Sequence, residues 1–211
     1  MYDIPIIKHQ EAIMSKSFKD SETLQNLMKA FAGESQARNR YTFYAAQARK
    51  EGFRQIENIF LETADNERIH AKRFFQYAND ILGAEIPMMV NVNADYPVGF
   101  AQTVDNLKFA ADGEHEEWEI LYPTFAKIAK EEGYPQVEAL FTKIGAIEAH
   151  HEARYRKLAE NVANGLVFKK PATVAWKCLV CGHVHEGLES PAVCPACAHK
   201  QEHFELLVVN Y

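Results

Sequence analysis

Four glutamates occupy positions in helical segments where the hydrophobic periodicity would place leucine. Glu34, Glu67, Glu114 and Glu148 each lie near the middle of one long segment. Burying ionised carboxylates without compensation costs more than the net stability of a domain, which is about 5–15 kcal/mol. One inward glutamate could be protonated or paired with Arg38, but four at matching places need a common partner. We therefore predict that metal cations neutralise them.

Two of the four segments carry a histidine three residues after the glutamate, as Glu67-x-x-His70 and Glu148-x-x-His151. Residues at i and i+3 lie on one helix face, so each pair presents two ligands inward. One glutamate from each of two helices, with Glu-x-x-His from the other two, is the ligand set of di-iron and di-manganese bundles. Hard carboxylates with one imidazole per metal suit iron or manganese. His150 lies at i+2, and we expect it to face elsewhere.

Three further polar side chains lie near these glutamates in the helical pattern. Glu117 follows Glu114 by three residues and would add a fifth inward carboxylate, although it could instead be solvated within an acidic run. Tyr41 and Tyr122 follow two of the glutamates within about two turns. They are either core aromatics or phenols that hydrogen-bond a metal-bound carboxylate.

All the cysteines lie near the end of the chain, in two Cys-x-x-Cys pairs separated by twelve residues. Paired thiolates at this spacing predict a tetrahedral site for zinc or a single iron. Zinc would make the site structural, whereas iron would make it a one-electron carrier shielded by Trp176 and Phe204. The predicted ligands are Cys178, Cys181, Cys194 and Cys197.

Composition and charge exclude several classes of protein. The 211 residues carry a formal net charge of -6, which gives no general attraction for nucleic acid or anionic lipid. There is no run of 18 apolar residues that would span a membrane, and the N-terminus lacks the plan of a signal peptide. Because the cysteines are confined to one compact site, we expect a reduced, cytoplasmic protein.

Helical periodicity predicts four long helices, and the connections predict their arrangement. Short turns at Gly52 and Gly133 would make antiparallel hairpins, and the longer segment 84–102 could run the length of a bundle. This is an all-α four-helix bundle of the ferritin-like kind, two hairpins joined by a long crossover. The predicted helices span about 21–51, 55–82, 103–132 and 135–165, and Pro123 should bend the third.

The same pattern predicts a division into domains. Residues 1–165 would form the di-metal bundle, with 1–20 as an N-terminal extension of no assigned role. Residues 166–174 would be a linker, and 175–211 a small β-rich domain. A tail of that size needs its metal in order to fold.

Five motifs together resemble the rubrerythrin family over about residues 21–211. They are Ala32-Gly33-Glu34-Ser35-Gln36-Ala37-Arg38, Glu67-x-x-His70, Gly113-Glu114-x-x-Glu117, Glu148-x-x-His151 and the paired cysteine motifs. The resemblance implies a ferritin-like di-iron bundle with a rubredoxin-like domain that holds one iron on four cysteines. It also implies a cytoplasmic peroxidase that reduces hydrogen peroxide to water and protects against oxidative stress.

The resemblance further implies roles for individual residues. Glu117 and His70 would be alternative ligands of one iron, and the two irons would be oxo-bridged when oxidised. The iron of the four-cysteine site would return electrons across a head-to-tail homodimer, in which hairpins could also be exchanged. Tyr41 and Tyr122 would hydrogen-bond the metal-bound carboxylates without binding the metals themselves. The implied di-iron ligands are Glu34, Glu67, His70, Glu114, Glu117, Glu148 and His151.

The chain has no dinucleotide-binding fingerprint, so an external NAD(P)H-dependent reductase or a rubredoxin would supply its electrons. Two alternatives remain at this point. One is a ferroxidase or iron-handling ferritin-like protein that forms a cage. The other is a non-catalytic electron carrier with structural zinc in the tail.

Overall fold

The computed structural model describes residues 17–210 and confirms the four-helix bundle with a small strand domain after it. The bundle has four helical segments, called rods below, arranged as two hairpins. The first hairpin consists of two continuous helices joined by a tight turn, and the second contains one rod that is interrupted near its middle. The helices are α1 (Glu22–Lys50), α2 (Arg54–Leu82), α3 (Thr103–Glu116), α4 (Tyr122–Glu131) and α5 (Pro135–Ala163). Residues 1–16 of the expected N-terminal extension lie outside the described residues.

The third rod differs from the single helix predicted over 103–132. A π-helical turn, Glu117–Leu121, joins α3 to α4, and Pro123 lies in the first turn of α4. Proline has no N–H to donate to the preceding turn. A π turn accommodates an extra residue inside a helix and often lies at a functional site. Here it holds Glu117.

Side chains from distant parts of the chain cap the helices and tie the two hairpins together. Ser21 caps α1 locally by accepting a hydrogen bond from Leu24 N at 3.0 Å. The Glu132 carboxylate adds a second cap, accepting from Thr23 N at 2.7 Å. At the opposite end of the bundle, Glu51 accepts from Thr103 N at 3.1 Å and caps α3. Each cap satisfies a backbone N–H that a helix end leaves unpaired.

The carboxylate-bearing layer lies between two apolar clusters of the bundle. One cluster packs Tyr41, Phe60 and Tyr155 together near the end that leads to the tail. The other packs Phe74, Phe141 and their neighbours at the far end. The glutamates therefore lie in a polar layer with apolar packing above and below it.

The long crossover between α2 and α3 runs along the bundle, as predicted, and lies against α1. The Tyr44 hydroxyl donates to Gly99 O at 2.8 Å, and the Tyr96 hydroxyl donates to Lys29 O at 3.1 Å. These two bonds fix the crossover against the surface of the bundle.

The tail forms an antiparallel sheet of order β2-β1-β3, with strands β1 (Lys169–Cys178), β2 (Val184–Glu189) and β3 (Phe204–Leu206). The first strand begins inside the segment expected to be a linker, because Lys169 pairs with Glu189. The tail contacts the start of α2 through Arg54 Nε, which lies 3.4 Å from Glu202 Oε1. None of the helices in the described part of the chain has the length and apolarity required to cross a bilayer.

Candidate metal centres

Six side chains from the rods of the bundle converge in two overlapping groups. Ligand atoms of Glu34, Glu67, His70 and Glu148 lie within 4.8 Å of one another, and so do those of Glu67, Glu114, Glu148 and His151. All six residues are buried. Because Glu67 and Glu148 belong to both groups, the arrangement fits two cations that share two carboxylates.

The distances within each group match those between ligands of one ion. His70 Nδ1 lies 2.9 Å from Glu67 Oε2 and 2.9 Å from Glu148 Oε1. His151 Nδ1 lies 2.8 Å from Glu148 Oε2 and 3.3 Å from Glu67 Oε1. Two ligands about 2.1 Å from a cation and at right angles to each other are about 3 Å apart. The observed spacings therefore agree with ligands around a shared centre.

Many of these close contacts lack the geometry of a hydrogen bond. Both oxygens of Glu148, and one oxygen each of Glu34, Glu67 and Glu114, are buried without a hydrogen-bond partner, as is His151 Nδ1. A buried polar atom with no partner costs about 1–3 kcal/mol, and more when it is charged. Cations bound between these atoms would satisfy all of them, so the residues fit a pair of metal ions.

The six converging residues are called the cluster below. Without metal, the pKa values of its members favour bound protons, which offset part of the negative charge that cations would neutralise. Burial, together with repulsion from Glu67, raises the pKa of Glu114 to about 8. Burial would also raise the pKa of Glu67, but the close contact with His151 and the hydrogen bond with His70 outweigh burial and lower that pKa to about 2. Burial would lower the pKa of His151, but its carboxylate partners, beginning with Glu114, raise it to about 12. Bound metal would displace the extra protons.

Glu117 stands beside the cluster but belongs to neither group of converging ligand atoms. Its side chain is half-buried, whereas its neighbours His115 and Glu116 are exposed. Burial raises the pKa of the Glu117 carboxyl, and repulsion from Glu34 and Glu114 adds to this effect. Glu117 thus lies within reach of the cluster's charge, and its role as a fifth metal ligand stays a prediction.

Both tyrosines singled out by the helical pattern hydrogen-bond a cluster carboxylate. The Tyr41 hydroxyl donates to Glu114 Oε1 at 2.6 Å, and the Tyr122 hydroxyl donates to Glu34 Oε1. Such contacts from outside the ligand set orient the carboxylates toward a metal. His150 is exposed, as expected.

Sequence reasoning missed a polar contact that anchors the π turn. Trp118 Nε1 donates to Glu152 Oε2 at 2.5 Å, and Arg156 Nε donates to the other oxygen of Glu152 at 2.5 Å. Trp118 follows Glu117, and Glu152 follows His151, so this contact joins the two helices directly beside the cluster. The i,i+4 spacing of Glu152 and Arg156 was the only available signal, and it does not indicate the tryptophan.

The four cysteines of the tail converge as predicted. Cys178 Sγ lies 3.8 Å from Cys197 Sγ, and Cys181 Sγ lies 3.7 Å from Cys194 Sγ, with no disulfide among them. Four sulfurs arranged tetrahedrally about 2.3 Å from a zinc ion are about 3.8 Å apart, so the site fits one metal ion. Around them pack Trp176 and Phe204.

The two cysteine motifs have matching backbone structures. Cys178 N donates to His183 O at 2.8 Å, and Cys194 N donates to His199 O at 2.8 Å. The residue after the second cysteine of each motif has a positive φ. This residue is a glycine in the first motif, with φ 77°, but Ala198 in the second, with φ 58°.

Comparison with known proteins relates both parts of the chain to described families. The family model described as Rubrerythrin matches residues 25–159, and that described as Rubrerythrin, rubredoxin-like domain matches residues 176–205. Rubrerythrin-1 of Clostridium acetobutylicum is 54% identical over 93% of this chain and 100% of its own length. Rubrerythrin of Nitratidesulfovibrio vulgaris is 47% identical over the same shares of the two chains.

Solved structures agree with these sequence relationships. Nigerythrin in a partially reduced state superposes with a TM-score of 0.58 at 28% identity, covering 98% of each chain. The Desulfovibrio desulfuricans bacterioferritin superposes with a TM-score of 0.61 at 22% identity, covering 71% of this chain and 84% of that one. The latter likeness establishes the ferritin-like fold of the bundle.

Proposed function

The chain belongs to the rubrerythrin family, and we propose that it is a peroxidase that reduces hydrogen peroxide to water. It carries the family's carboxylate and histidine di-iron site and its four-cysteine rubredoxin-like site. The observation that carries the proposal is the pair of ligand groups sharing Glu67 and Glu148, in the same chain as a thiolate site suited to one-electron transfer.

Each residue of the cluster has a place in this proposal. Glu34 and His70 would complete the set for one iron, and Glu114 and His151 the set for the other, with Glu67 and Glu148 shared. Glu117 would exchange with His70 as a ligand when the oxidation state changes. Two irons held by these residues would supply one electron each, which together would meet the two-electron demand of cleaving an oxygen–oxygen bond.

The reduction of peroxide to two waters also consumes two protons, and the chain provides groups that hold them. The Tyr122 hydroxyl donates a hydrogen bond to Glu34 Oε1, and the Tyr41 hydroxyl donates one to Glu114 Oε1. Burial raises the pKa of both phenols, so they remain protonated while they orient the ligands. We propose that these phenols and Glu117 relay protons from solvent to the departing oxygens.

The contact between the tail and the bundle supports a route for the electrons that passes from one chain to another. Arg54, which pairs with Glu202 of the tail, precedes Glu67 by thirteen residues, so about 20 Å of helix separates that contact from the cluster. This separation favours transfer from the tail of a second chain, in a head-to-tail homodimer. A reductase that uses NAD(P)H, or a rubredoxin, would supply the tail in the reducing cytoplasm, where thiolates stay unoxidised.

Anaerobic rapid mixing of the fully reduced, iron-loaded protein tests the proposal. One equivalent of hydrogen peroxide should oxidise the bundle irons within the mixing experiment, and much faster than one equivalent of dioxygen. Optical absorption of the oxidised irons reports the rate. Oxidation by peroxide that is no faster than oxidation by dioxygen would contradict the peroxidase and favour a ferroxidase.

A further inference from the structure

A cavity of about 260 Å³ leads from the exposed crossover toward the di-iron cluster. Its walls come from α1, from the helix and π turn that carry Glu114 and Glu117, and from the crossover. Asn93 and Asp95 form part of its exposed rim, while Glu117 and Tyr122 line its floor.

The floor of this cavity is in contact with the cluster. Glu34, Glu67, Glu114 and Glu148 are at most 1% exposed, but Glu117 retains access from the cavity side. The other floor residue, Tyr122, hydrogen-bonds Glu34 directly. A second cavity, of about 470 Å³, lies between α4 and α5 and has no glutamate of the cluster in its lining.

Gly33 lies in the cavity wall between Glu117 and Tyr96. A Cβ atom on Gly33 would lie 3.7 Å from Glu117 Oε1 and 3.8 Å from Tyr96 Cε1. A methyl group would therefore fit without a clash, but it would stand in the gap between the carboxylate and the tyrosine ring. Glycine is unfavourable in the middle of a helix, and here its missing side chain leaves that gap open. The hydrogen bond from Tyr96 to Lys29 O holds the ring at the other side of the gap.

We propose that this cavity is the entrance by which hydroperoxides reach the di-iron cluster, with Gly33 and Tyr96 setting its width. The identity of the ligand rests on the proposed function. Because the volume is several times the share of one water molecule, about 30 Å³, short alkyl hydroperoxides fit as well as hydrogen peroxide. Ala30, Pro97 and Leu121 give the upper wall an apolar surface for the alkyl group.

The reaction of an alkyl hydroperoxide balances in the same way as that of hydrogen peroxide. The oxygen–oxygen bond breaks, two electrons come from the iron pair, and two protons come from the relay of carboxyl and phenol groups. The products are one alcohol and one water, and the external reductase restores the electrons.

Rates of entry into the iron-loaded protein test the entrance. Gly33→Ala should keep the fold, because alanine is favoured over glycine within a helix. It should slow the binding of azide to the oxidised irons, and the oxidation of the reduced irons by hydrogen peroxide. The expected factor is about tenfold, equivalent to about 1.4 kcal/mol on the barrier, with a larger factor for tert-butyl hydroperoxide. Stopped-flow absorption measures all three rates.

Two further variants complete the experiment. Gly145→Ala is the matched control, since Gly145 is also a mid-helix glycine but does not line this cavity. Its Cβ would lie 3.6 Å from Tyr122 Cβ, an ordinary van der Waals distance that leaves the tyrosine in place. The three rates of this variant should equal those of the parent protein. Tyr96→Ala widens the gap and should speed the reaction with tert-butyl hydroperoxide, which gives a test of opposite sign.

The outcomes separate the entrance from the proposed function. Slower azide binding in Gly33→Ala, in a protein whose reduced irons ignore both hydroperoxides, would support the entrance and overturn the peroxidase. Azide and hydroperoxide rates that are unchanged in both Gly33→Ala and Tyr96→Ala would overturn the entrance. If every variant reacts with hydrogen peroxide but none reacts with tert-butyl hydroperoxide, the proposal that alkyl hydroperoxides enter the cavity is overturned.

Discussion

Without its metals, the bundle should become less stable as the pH rises from 5 to 8. In the metal-free protein, burial and repulsion from Glu67 raise the pKa of Glu114 from 4.5 to about 8. Between these two values the folded chain holds a proton that the unfolded chain has released. Stability then falls as the pH rises, because the folded state binds more protons than the unfolded state.

The size of the effect follows from this one group. Each pH unit over which one extra proton is held is worth about 1.4 kcal/mol, so between pH 5 and pH 8 Glu114 contributes a loss of about 4 kcal/mol. For a chain of this length, that corresponds to a fall in melting temperature of about 8–16 °C. The histidines act in the same direction above pH 6.5, since carboxylate contacts raise the pKa of His151 to about 12 after overcoming the effect of burial.

Scanning calorimetry of metal-free protein at pH 5, 6, 7 and 8 measures this dependence. Glu114→Gln is the matched control, because it keeps the shape of the side chain but removes the titration, and its melting temperature should vary less. Ferrous iron, added without oxygen, should raise the melting temperature more at pH 8 than at pH 5, since metal competes with protons for the carboxylates. A metal-free protein that melts higher at pH 8 than at pH 5 would refute this account of the cluster.

Three other substitutions test the local structure. Tyr122→Phe removes the donor to Glu34 and should cost the iron-loaded protein about 1.5–3 kcal/mol in denaturant unfolding, and no loss would contradict the hydrogen bond. Glu132→Ala removes the second cap of α1 and should cost about 1–2 kcal/mol, whereas the exposed Glu131→Ala should change little. Ala198→Gly removes the steric strain of a left-handed backbone conformation and should stabilise the metal-loaded tail by about 1 kcal/mol. Thermal loss of the thiolate–metal absorption measures this stability, and a less stable variant would exclude strain at Ala198.

The ligand cluster could be predicted from sequence because its signal is local. Helical periodicity assigns Glu34, Glu67, Glu114 and Glu148 to inward faces without any knowledge of the neighbouring helices. The i,i+3 spacing then adds the histidines, and Cys-x-x-Cys pairs carry their geometry in the same way. Turn glycines and the length of the crossover were enough to give the order and direction of the four rods.

The remaining features depend on contacts between distant residues. The π turn is a local departure from helical geometry that periodicity does not register, and Trp118 within it is anchored by Glu152, 34 residues away. The entrance joins Gly33 to Tyr96 of the crossover, which has no periodic pattern to place it. Only the first part of the strand that begins at Lys169, up to residue 174, was expected to be a linker, because its pairing with β2 is not visible in its own sequence.

The metal content of variants tests most directly whether two metals in the bundle share the carboxylates of Glu67 and Glu148. After iron reconstitution, elemental analysis of the parent protein should give three irons per chain, one for each group of converging ligands. Glu148→Ala removes a carboxylate shared by both bundle irons, so it should retain only the tail iron, while Cys194→Ser should retain only the two bundle irons. A Glu148→Ala protein that is folded and still binds two or three irons per chain would contradict the shared-carboxylate arrangement.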